Sequence, residues 1–331
     1  MHTRLHKDLF PILRRLGDGR FHSGEGLAQE FGLSRSTVFN VLAQAQEMGL
    51  TIHAVRGRGY QVPRPVEWLD RRALERALGA RAARYSLHLL DDVESTNACV
   101  MSAALGGAPD GTLYCAEHQA NGRGRRGRRW HSVLGGGLTF SLLCRFETGL
   151  QSLAGLSLAA GLAVARAVNR HSRHPARLKW PNDVLVDHRK LAGILVEVQG
   201  DMHGPAFAVI GIGINVRLDA AQRDAVDQAL IDLAEIGVTV GRNRLLADCL
   251  LELDTVLAQF RQQGFAGLRE AWLALDAYAG RCVTLSLPDA RSVNGVASGV
   301  DETGAFLLQA PNASVAPYSG GEISLRLDAR R

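Results

Sequence analysis

Lysine is scarce in this chain of 331 residues. Arginine and lysine together number 38, and only Lys7, Lys179 and Lys190 are lysines. Lysine offers a compact ammonium group, whereas arginine offers a planar fork of donors. In a sequence that prefers arginine, we therefore expect a retained lysine to mark a position that needs a point charge. Two of the three, Lys179 and Lys190, lie close together in the central segment.

Several signatures of chemistry are missing. The sequence contains no P-loop G-x-x-x-x-G-K-[ST] and no G-x-S-x-G nucleophile elbow, so neither a P-loop NTPase nor a serine acyl-enzyme is expected. Its cysteines form no C-x-x-C pair and have no histidine at metal-ligand spacing, which favours buried thiols over a metal site. The five cysteines are Cys99, Cys115, Cys144, Cys249 and Cys282.

No long apolar run is uninterrupted. The longest, residues 150–168, contains Gln151, Ser152, Ser157 and Arg166 and is rich in alanine and glycine, which favours a buried helix over a membrane span. The first ten residues carry charge and lack the apolar segment of a secretory signal. We therefore expect a cytoplasmic protein.

The N-terminal segment has the pattern of a winged helix-turn-helix. Apolar spacing predicts helices at 5–16, 25–31 and 35–48, and strand-like residues 51–55 and 60–62 flank a basic turn, Arg-Gly-Arg-Gly. Residues 1–62 hold eight basic against five acidic residues, which suits a nucleic acid partner. A helical protein-interaction module is the alternative. The predicted DNA contacts are Ser34, Arg35, Ser36, Thr37, Asn40, Arg56 and Arg58.

The rest of the chain predicts an α+β multidomain protein. After a proline-flanked linker at 63–65, strands are expected at 85–90, 112–119, 138–146, 177–186, 191–199 and 207–216, and helices at 153–169, 244–262 and 268–279. This pattern indicates a mixed sheet with flanking helices. Short strands at 283–287, 292–300, 304–309 and 323–327 indicate a small β-barrel. The predicted domains are therefore 1–63, 64–279 and 280–331.

Residues 122–129 (GRGRRGRR) hold five arginines in seven positions from 123 to 129. The segment satisfies G-x-G-x-x-G, but its variable positions are all arginine, whereas a dinucleotide-binding turn opens a helix with small or apolar residues facing the sheet, so we reject a dinucleotide fold. Glycine lets a backbone wrap closely around an anion, and guanidinium groups bind phosphate or carboxylate bidentately. The segment predicts a flexible loop over a nucleotide or acyl phosphate; a solvated basic loop is the alternative.

Five short blocks follow one another in the central segment: residues 94–97 (ESTN), 122–127 (GRGRRG), 179–183 (KWPND), 190–197 (KLAGILVE) and 211–215 (GIGIN). In this order and spacing they resemble the biotin protein ligase family. The resemblance extends to residues 320–325 (GGEISL) and, through the winged helix, to nearly the whole chain. It implies a class II synthetase-like biotin/lipoate ligase fold with a C-terminal SH3-like barrel.

The resemblance also implies roles for individual residues. For biotin they are Ser95, Thr96, Asn97, Gln119, Arg123, Gly124, Arg125, Lys190, Gly193, Leu195 and Gly211. For ATP and the adenylate they are Arg128, Trp130, Lys179, Asn182, Lys190 and Asn215. Lys190 and Arg125 are the expected catalytic groups, and Asp183 is the expected Mg²⁺ ligand. Near Leu230 the family's best-known bacterial repressor has a tryptophan that stacks on adenine; without it, either Trp130 does more of the stacking or the ATP pocket closes less tightly.

By this resemblance the protein activates biotin with ATP and passes it to a lysine of the biotin carboxyl carrier protein of acetyl-CoA carboxylase. The adenylate would also act as corepressor, favouring a homodimer through an exposed sheet edge that binds operator DNA. A lipoate ligase shares the chemistry and is the nearest alternative. A transcription factor whose large domain only senses a ligand is the alternative from another class.

Overall fold

The computed structural model describes residues 6–219, 222–223, 226, 228–287, 291–310 and 314–319, and the backbone of 324–327. The fold begins with three helices and a hairpin: α1 (Leu9–Leu16), α2 (Gly24–Phe31), α3 (Arg35–Glu47), β1 (His53–Val55) and β2 (Gly59–Gln61). The hydroxyls of Ser23 and Ser34 accept hydrogen bonds from Gly26 N and Thr37 N and so begin α2 and α3. Gly32 ends α2 in the left-handed conformation, φ 63°. The predicted winged helix-turn-helix is confirmed.

A seven-stranded sheet forms the centre of the molecule. Its strands are β3 (Ser86–Val93), β4 (Thr112–Gln119), β5 (Gly137–Phe146), β6 (Arg177–Lys179), β7 (Asp183–Val186), β8 (Arg189–Gly200) and β9 (Ala206–Asn215). Their order across the sheet is β3-β4-β5-β9-β8-β7-β6; β3 and β4 are parallel, and every other neighbouring pair is antiparallel. This is the mixed sheet that the sequence predicts.

Helices cover both faces of this sheet. They are α4 (Arg71–Leu78), α5 (Thr96–Leu105), α6 (Leu156–Asn169), α7 (Arg242–Gln263) and α8 (Arg269–Leu273). Helix α5 packs on β4, β5 and β9, whereas α6 packs on β6, β7 and β8 and against α7. Because side chains alternate along a strand, the α5 face carries Ser141, Gly211 and Leu195, which are register partners, and the α6 face carries the intervening residues.

Three sequence predictions for this region were wrong in detail. The predicted strand 177–186 is a hairpin of β6 and β7, turned at the cis Trp180–Pro181 peptide. The predicted helix 268–279 ends at Leu273. Helices α4 and α5 were missed. Helix α5 is a mixture of small and apolar residues without a one-sided apolar stripe, whereas α4 has both an Asp70 cap and such a stripe, so its sequence did carry the signal.

Helix α6 lies in the core, as predicted for residues 150–168. The segment Leu150–Asn169 has the length and hydropathy of a membrane-crossing helix, but 67% of its most apolar stretch is buried inside the fold. A run of alanines, Ala159, Ala160, Ala163 and Ala167, is fully buried. These small side chains let α6 approach its neighbours closely.

The C-terminal part is a five-stranded antiparallel sheet. Its strands are β10 (Cys282–Ser286), β11 (Ser292–Val300), β12 (Phe306–Gln309), β13 (Val315–Tyr318) and β14 (Ser324–Leu327), in the order β13-β12-β11-β10-β14. Strand β13 was missed, and most of the 320–325 block lies outside the described residues. The indole N–H of Trp180 donates to Gly304 O at 2.9 Å, and its ring lies 5.4 Å from that of Phe306, which fastens this sheet to the central domain.

The N-terminal unit contacts at least three segments of the central domain, one of which is β3, where Asp91 Oδ2 accepts a hydrogen bond from Arg14 Nη1 at 3.1 Å. Leu134, which follows the arginine-rich loop, is 2% exposed and belongs to the apolar core of the N-terminal unit. Asp219, which follows β9, accepts hydrogen bonds from Thr51 Oγ1 at 2.7 Å and from Arg64 Nη2 at 3.0 Å.

Candidate active site

One cavity of about 390 Å³ lies over the α5 face of the sheet, where α5, β8 and β9 meet the arginine-rich loop. All the residues predicted for biotin and ATP line it except Lys179 and Asp183. Residues from five separate blocks of sequence therefore meet in one place. Their individual roles stay predictions.

One end of the cavity is lined by uncharged side chains that are closely hydrogen-bonded, with the Glu197 carboxylate behind them. Gln119 Oε1 accepts from Thr96 N at 2.7 Å, and Asn97 Nδ2 donates to Glu197 Oε2 at 2.7 Å. The Ser141 hydroxyl lies 2.7 Å from Thr96 Oγ1 and 2.6 Å from Asn97 Oδ1. Because buried polar groups that are already paired hold fixed positions, this network presents a rigid pattern of donors and acceptors to a polar, uncharged ligand.

The start of α5 explains why these side chains face the cavity. Ser95 occupies the N-cap position with an extended backbone, but its side chain makes no capping hydrogen bond, unlike Ser23 and Ser34. The residue is 3% exposed and lines the cavity. It is therefore positioned to bond a ligand in place of the helix end.

Glycines on β8 and β9 give the cavity its floor. A Cβ on Gly211 would overlap Asn97 Oδ1 and lie 2.8 Å from Asn97 Cγ. A Cβ on Gly213 would overlap the ring of Trp130, with Nε1 at 2.9 Å, and a Cβ on Gly193 would lie 3.3 Å from that ring. The absence of side chains lets the indole and the carboxamide lie directly on the sheet.

The other end of the cavity is cationic. Lys190 Nζ lies 2.7 Å from Asp183 Oδ1, with the side chains only 16% and 12% exposed. Asp183 Oδ1 has no hydrogen-bond partner of good geometry among the described residues, so we read this contact as an ion pair without a well-aligned hydrogen bond. Burial lowers the pKa of Arg125, helped by repulsion from Arg126 and Arg128 and opposed by Asp183. An anion between these groups would relieve the repulsion.

The arginine-rich loop is a hairpin in the structure. Trp130 N donates to Gly122 O at 2.8 Å and Gly124 N donates to Arg128 O at 2.7 Å, and the turn places Arg126 and Gly127 at φ 58° and 69°. The segment opens no α-helix, which agrees with the rejection of a dinucleotide fold. Arg123, Arg125, Arg128 and Arg129 all line the cavity.

Residues 228–231 form the wall beside Lys190. Lys190 N donates to Ala229 O at 2.9 Å, and Ile231 N donates to Lys190 O at 3.0 Å. Asn215 Nδ2 donates to Lys190 O and to Ile231 O, both at 3.2 Å. The Asn215 amide therefore holds this wall in place. Leu230 lines the cavity at the position where the sequence lacks an aromatic side chain.

The described residues contain no group of three or more His, Cys, Asp or Glu side chains that could hold a metal ion. Mg²⁺ commonly uses one or two carboxylates together with phosphate oxygens. Asp183, whose carboxylate forms the ion pair with Lys190 at the cationic end, fits the role of the single protein ligand. Lys179 lies opposite Asp183 in the backbone register of the β6–β7 hairpin and does not line the cavity.

The predicted DNA contacts lie on α3 and the wing. Arg35, Ser36, Asn40, Arg56 and Arg58 are exposed. Ser34 is engaged in the helix cap, 2.8 Å from both Ser36 Oγ and Thr37 Oγ1. The Arg58 guanidinium lies 3.9 Å from the centre of the Phe21 ring.

Sequence reasoning missed three residues of the central site. Ser141 and Glu197 complete the network around Asn97, and Gly213 carries Trp130. Glu197 and Gly213 lie inside recognised blocks, and only their contacts distinguish them from their neighbours. Ser141 lies in strand β5, where the hydroxyl residues Thr139 and Ser141 among mostly apolar neighbours were the available signal.

Three known protein families match successive segments that together cover most of the chain. Residues 90–215 match the Biotin/lipoate A/B protein ligase family, residues 9–61 match the HTH domain family, and residues 278–326 match the Biotin protein ligase C terminal domain. The three matches follow the order of the three parts of the fold.

Relatives that align over nearly the whole chain are named as both ligase and repressor. The bifunctional ligase/repressor BirA of Salmonella typhimurium is 36% identical over 315 residues, which cover 95% of this chain and 96% of the relative. The protein of the same name from Bacillus subtilis is 30% identical over 93% of this chain and 95% of its own length. The biotin–[acetyl-CoA-carboxylase] ligase of Mycobacterium tuberculosis is 35% identical over 78% of this chain.

Solved structures show the same fold. The biotin protein ligase from Aquifex aeolicus in complex with biotin and ATP superimposes with a TM-score of 0.62 at 30% identity, covering 73% of this chain and 99% of the other. Fold and site define a ligase of the biotin/lipoate class joined to a helix-turn-helix unit. The chain belongs to the biotin protein ligase family.

Proposed function

We propose that this protein activates biotin with ATP to biotinyl-5'-AMP and transfers biotin to a specific lysine of the biotin carboxyl carrier protein of acetyl-CoA carboxylase. The observation that carries the proposal is the single cavity that joins a hydrogen-bonding end lined by uncharged side chains to a cationic end. A ligand with an uncharged polar ring at one end and a carboxylate at the other would match the hydrogen-bonding end and the cationic end respectively. The relatives named as biotin ligases support biotin over lipoate.

The geometry suggests how the residues act. Thr96, Asn97 and Gln119 would hold the ureido ring by hydrogen bonds, which places the carboxylate toward Lys190. The carboxylate attacks the α-phosphorus of ATP and pyrophosphate leaves, while Lys190 and Arg125 stabilise the charge that develops on the phosphate oxygens. Mg²⁺ arriving with ATP would neutralise further phosphate charge, and Asp183 is the residue that would hold it.

The transfer step needs no nucleophile from the enzyme. The neutral amine of the carrier lysine attacks the acyl carbon of the mixed anhydride, the bond to the AMP oxygen breaks, and an amide forms. The enzyme contributes by keeping water away from the anhydride, which is the role we assign to the hairpin of residues 122–130. Four of its arginines line the cavity and are placed to close over the phosphate.

Pyrophosphate release tests this function. Purified protein mixed with ATP should release pyrophosphate with biotin and far less with lipoate. Lys190→Gln should lower the rate by about 100- to 1000-fold, because a fixed cation at the reacting phosphate is lost. Lys7→Gln, an exposed lysine of the N-terminal unit, is the matched control. Release with neither acid would favour a ligand-sensing transcription factor instead.

We also propose that the protein is a repressor of biotin synthesis genes, with biotinyl-5'-AMP as corepressor and a cytoplasmic location. The exposed helix α3 and the wing arginines support binding to operator DNA. The expected domains remain 1–63, 64–279 and 280–331. A gel shift should show a protein–DNA complex with operator DNA when biotin and ATP are both present. Addition of the carrier protein should dissociate this complex.

A homodimer would form through the free edge of β8. Strand β7 covers β8 only as far as Gly193, and Asn182 bonds both backbone groups of Ile194, at 2.9 Å each. Beyond that point the same edge of β8 continues to Gly200 with no strand beside it among the described residues, and Val198 is 46% exposed. Such an edge pairs readily with a second chain.

Two variants test the dimer by sedimentation equilibrium. Val198→Lys should weaken dimerisation in the presence of biotin and ATP, because a charge is placed on the edge, whereas Val315→Lys on edge strand β13 should not. Arg125→Gly should release adenylate faster and also weaken the dimer, since loop ordering is lost; Arg173→Gly, an exposed arginine after α6, is its control. Unchanged adenylate retention in Arg125→Gly would count against the coupling.

A further inference from the structure

Helix α3 presents an aromatic side chain to solvent. Phe39 is 60% exposed, and among the described residues it is the only aromatic one in the set of exposed large apolar side chains. A single exposed apolar residue is ordinary on a protein surface, so its exposure alone decides nothing. Its position on the helix does.

Phe39 lies on the face of α3 that points away from the core. The core face carries Val38, Val41, Leu42 and Ala45, each at most 2% exposed. At about 100° per residue, Phe39 lies about 110° from the centre of the core face, with Arg35 one turn before it and Ser36 next to it on the side farther from the core. It therefore belongs to the flank of the exposed surface that we expect to face the major groove.

The charge around Phe39 suits a polyanion better than an apolar protein partner. Helix α3 has no acidic side chain before Glu47, its last residue, and Arg35 is exposed one turn from Phe39. The wing adds Arg56 and Arg58, of which Arg58 is held against the Phe21 ring. A basic, exposed surface that includes one aromatic side chain matches a groove lined by phosphates.

We propose that Phe39 recognises the 5-methyl group of thymine in the major groove of duplex DNA. Thymine is the only base that shows an apolar group there, and phenylalanine can satisfy no hydrogen-bonding edge. Any other base opposite the ring would lose water from a polar edge without gaining a partner. This inference rests on the DNA-binding half of the proposed function and adds a specificity determinant to it.

Replacing thymine with uracil in the bound DNA tests the proposal, since it removes only the methyl group. The probe is a duplex enriched from a library with a randomised centre by the wild-type protein with biotin and ATP. Each dT is then replaced singly with dU. At one or more positions in each half-site the wild-type affinity should fall about fourfold, the value for one buried methyl group.

The Phe39→Ala variant should bind the dT and dU duplexes equally at those positions. Leu105→Ala, which truncates a 63% exposed apolar side chain on α5, should keep the wild-type dependence on the methyl group. Circular dichroism melting checks that Phe39→Ala is folded. As a second variant, Phe39→Gln should select adenine in place of thymine when the enrichment is repeated, because glutamine bonds adenine bidentately.

Two outcomes would overturn the proposal while leaving DNA binding intact: a wild-type protein indifferent to every dU, or a Phe39→Ala variant with undiminished methyl dependence. If no duplex is enriched at all, the repressor function fails and this inference fails with it. Pyrophosphate release, measured on the same preparation, reports separately on the ligase function.

Discussion

Substitution of Gly211 by alanine tests whether the sheet floor determines biotin binding. Gly211 lies in β9 between its register partners Ser141 and Leu195. A Cβ added there would overlap Asn97 Oδ1 and lie 2.8 Å from Asn97 Cγ. Real Cβ atoms do not come this close to another heavy atom, so the Asn97 side chain must move.

The cost can be worked from the contacts that hold Asn97. Its side chain is 4% exposed, donates to Glu197 and lies 2.6 Å from the Ser141 hydroxyl. Overpacking costs about 1–3 kcal/mol, and each hydrogen bond that is lost costs about 1 kcal/mol. Since any displacement breaks these bonds or moves the amide into the cavity, we expect the free energy of unfolding to fall by about 2–4 kcal/mol. The ligand hydrogen bonds that the displaced amide no longer makes should lower biotin affinity by about 1–3 kcal/mol, or roughly 5- to 150-fold.

Isothermal titration with biotin measures this loss, and thermal unfolding separates it from general destabilisation. Gly161→Ala in α6 is the matched control, because its Cβ would meet Leu178 Cδ2 at 3.5 Å and Ile194 Cδ1 at 3.8 Å, which are ordinary contacts. It should leave biotin affinity unchanged. A Gly211→Ala protein that binds biotin with wild-type affinity and melts at the wild-type temperature would refute the reasoning.

Three further predictions concern other parts of the molecule. Leu230→Trp should lower the KM for ATP about two- to tenfold, because it adds an aromatic surface to the cavity wall; an unchanged KM would contradict this. Glu117→Ala should lower the free energy of unfolding, measured with urea, by about 3–5 kcal/mol. In the wild type the Glu117 carboxylate lies 2.7 Å from the buried Arg242 guanidinium, and the variant leaves that guanidinium without its counter-ion. Burial raises the pKa of Asp276, so its ionised form destabilises the fold. The Asp276→Asn variant should therefore have a higher melting temperature than the wild type at pH 8. This gain should shrink as the pH falls toward the ordinary carboxyl pKa of 3.8, because the wild-type carboxyl group then becomes neutral.

Local patterns predicted those elements whose stability depends on near neighbours in sequence. The helices of the N-terminal unit were found because caps, glycine turns and apolar spacing lie within a few residues of one another. The hairpin of β6 and β7 was read as one strand, although Pro181 and Asn182 are turn-forming residues that stand between its two halves. Helix α5 was missed because it is anchored by contacts with β4, β5 and β9, and its own sequence has little amphipathic character.

The site divides in the same way. The sequence named Ser95, Thr96, Asn97 and Lys190 because they belong to blocks with a family resemblance. It did not show that Ser141 would lie between Thr96 and Asn97, or that Glu197 would bond Asn97 from 100 residues away. Such partners are set by strand register, and register depends on the whole sheet.

The sequence by itself determined the order of the three parts, the composition of the arginine-rich loop and the five blocks whose residues meet in the cavity. Only the tertiary structure decided that Trp130 rests on Gly213, that Asp183 pairs with Lys190, and that Phe39 stands exposed on α3. The physical reason is the separation along the sequence over which each interaction acts. Helix propensity, turns and charge act between neighbours along the chain, whereas burial and close contact depend on which distant segments the fold brings together.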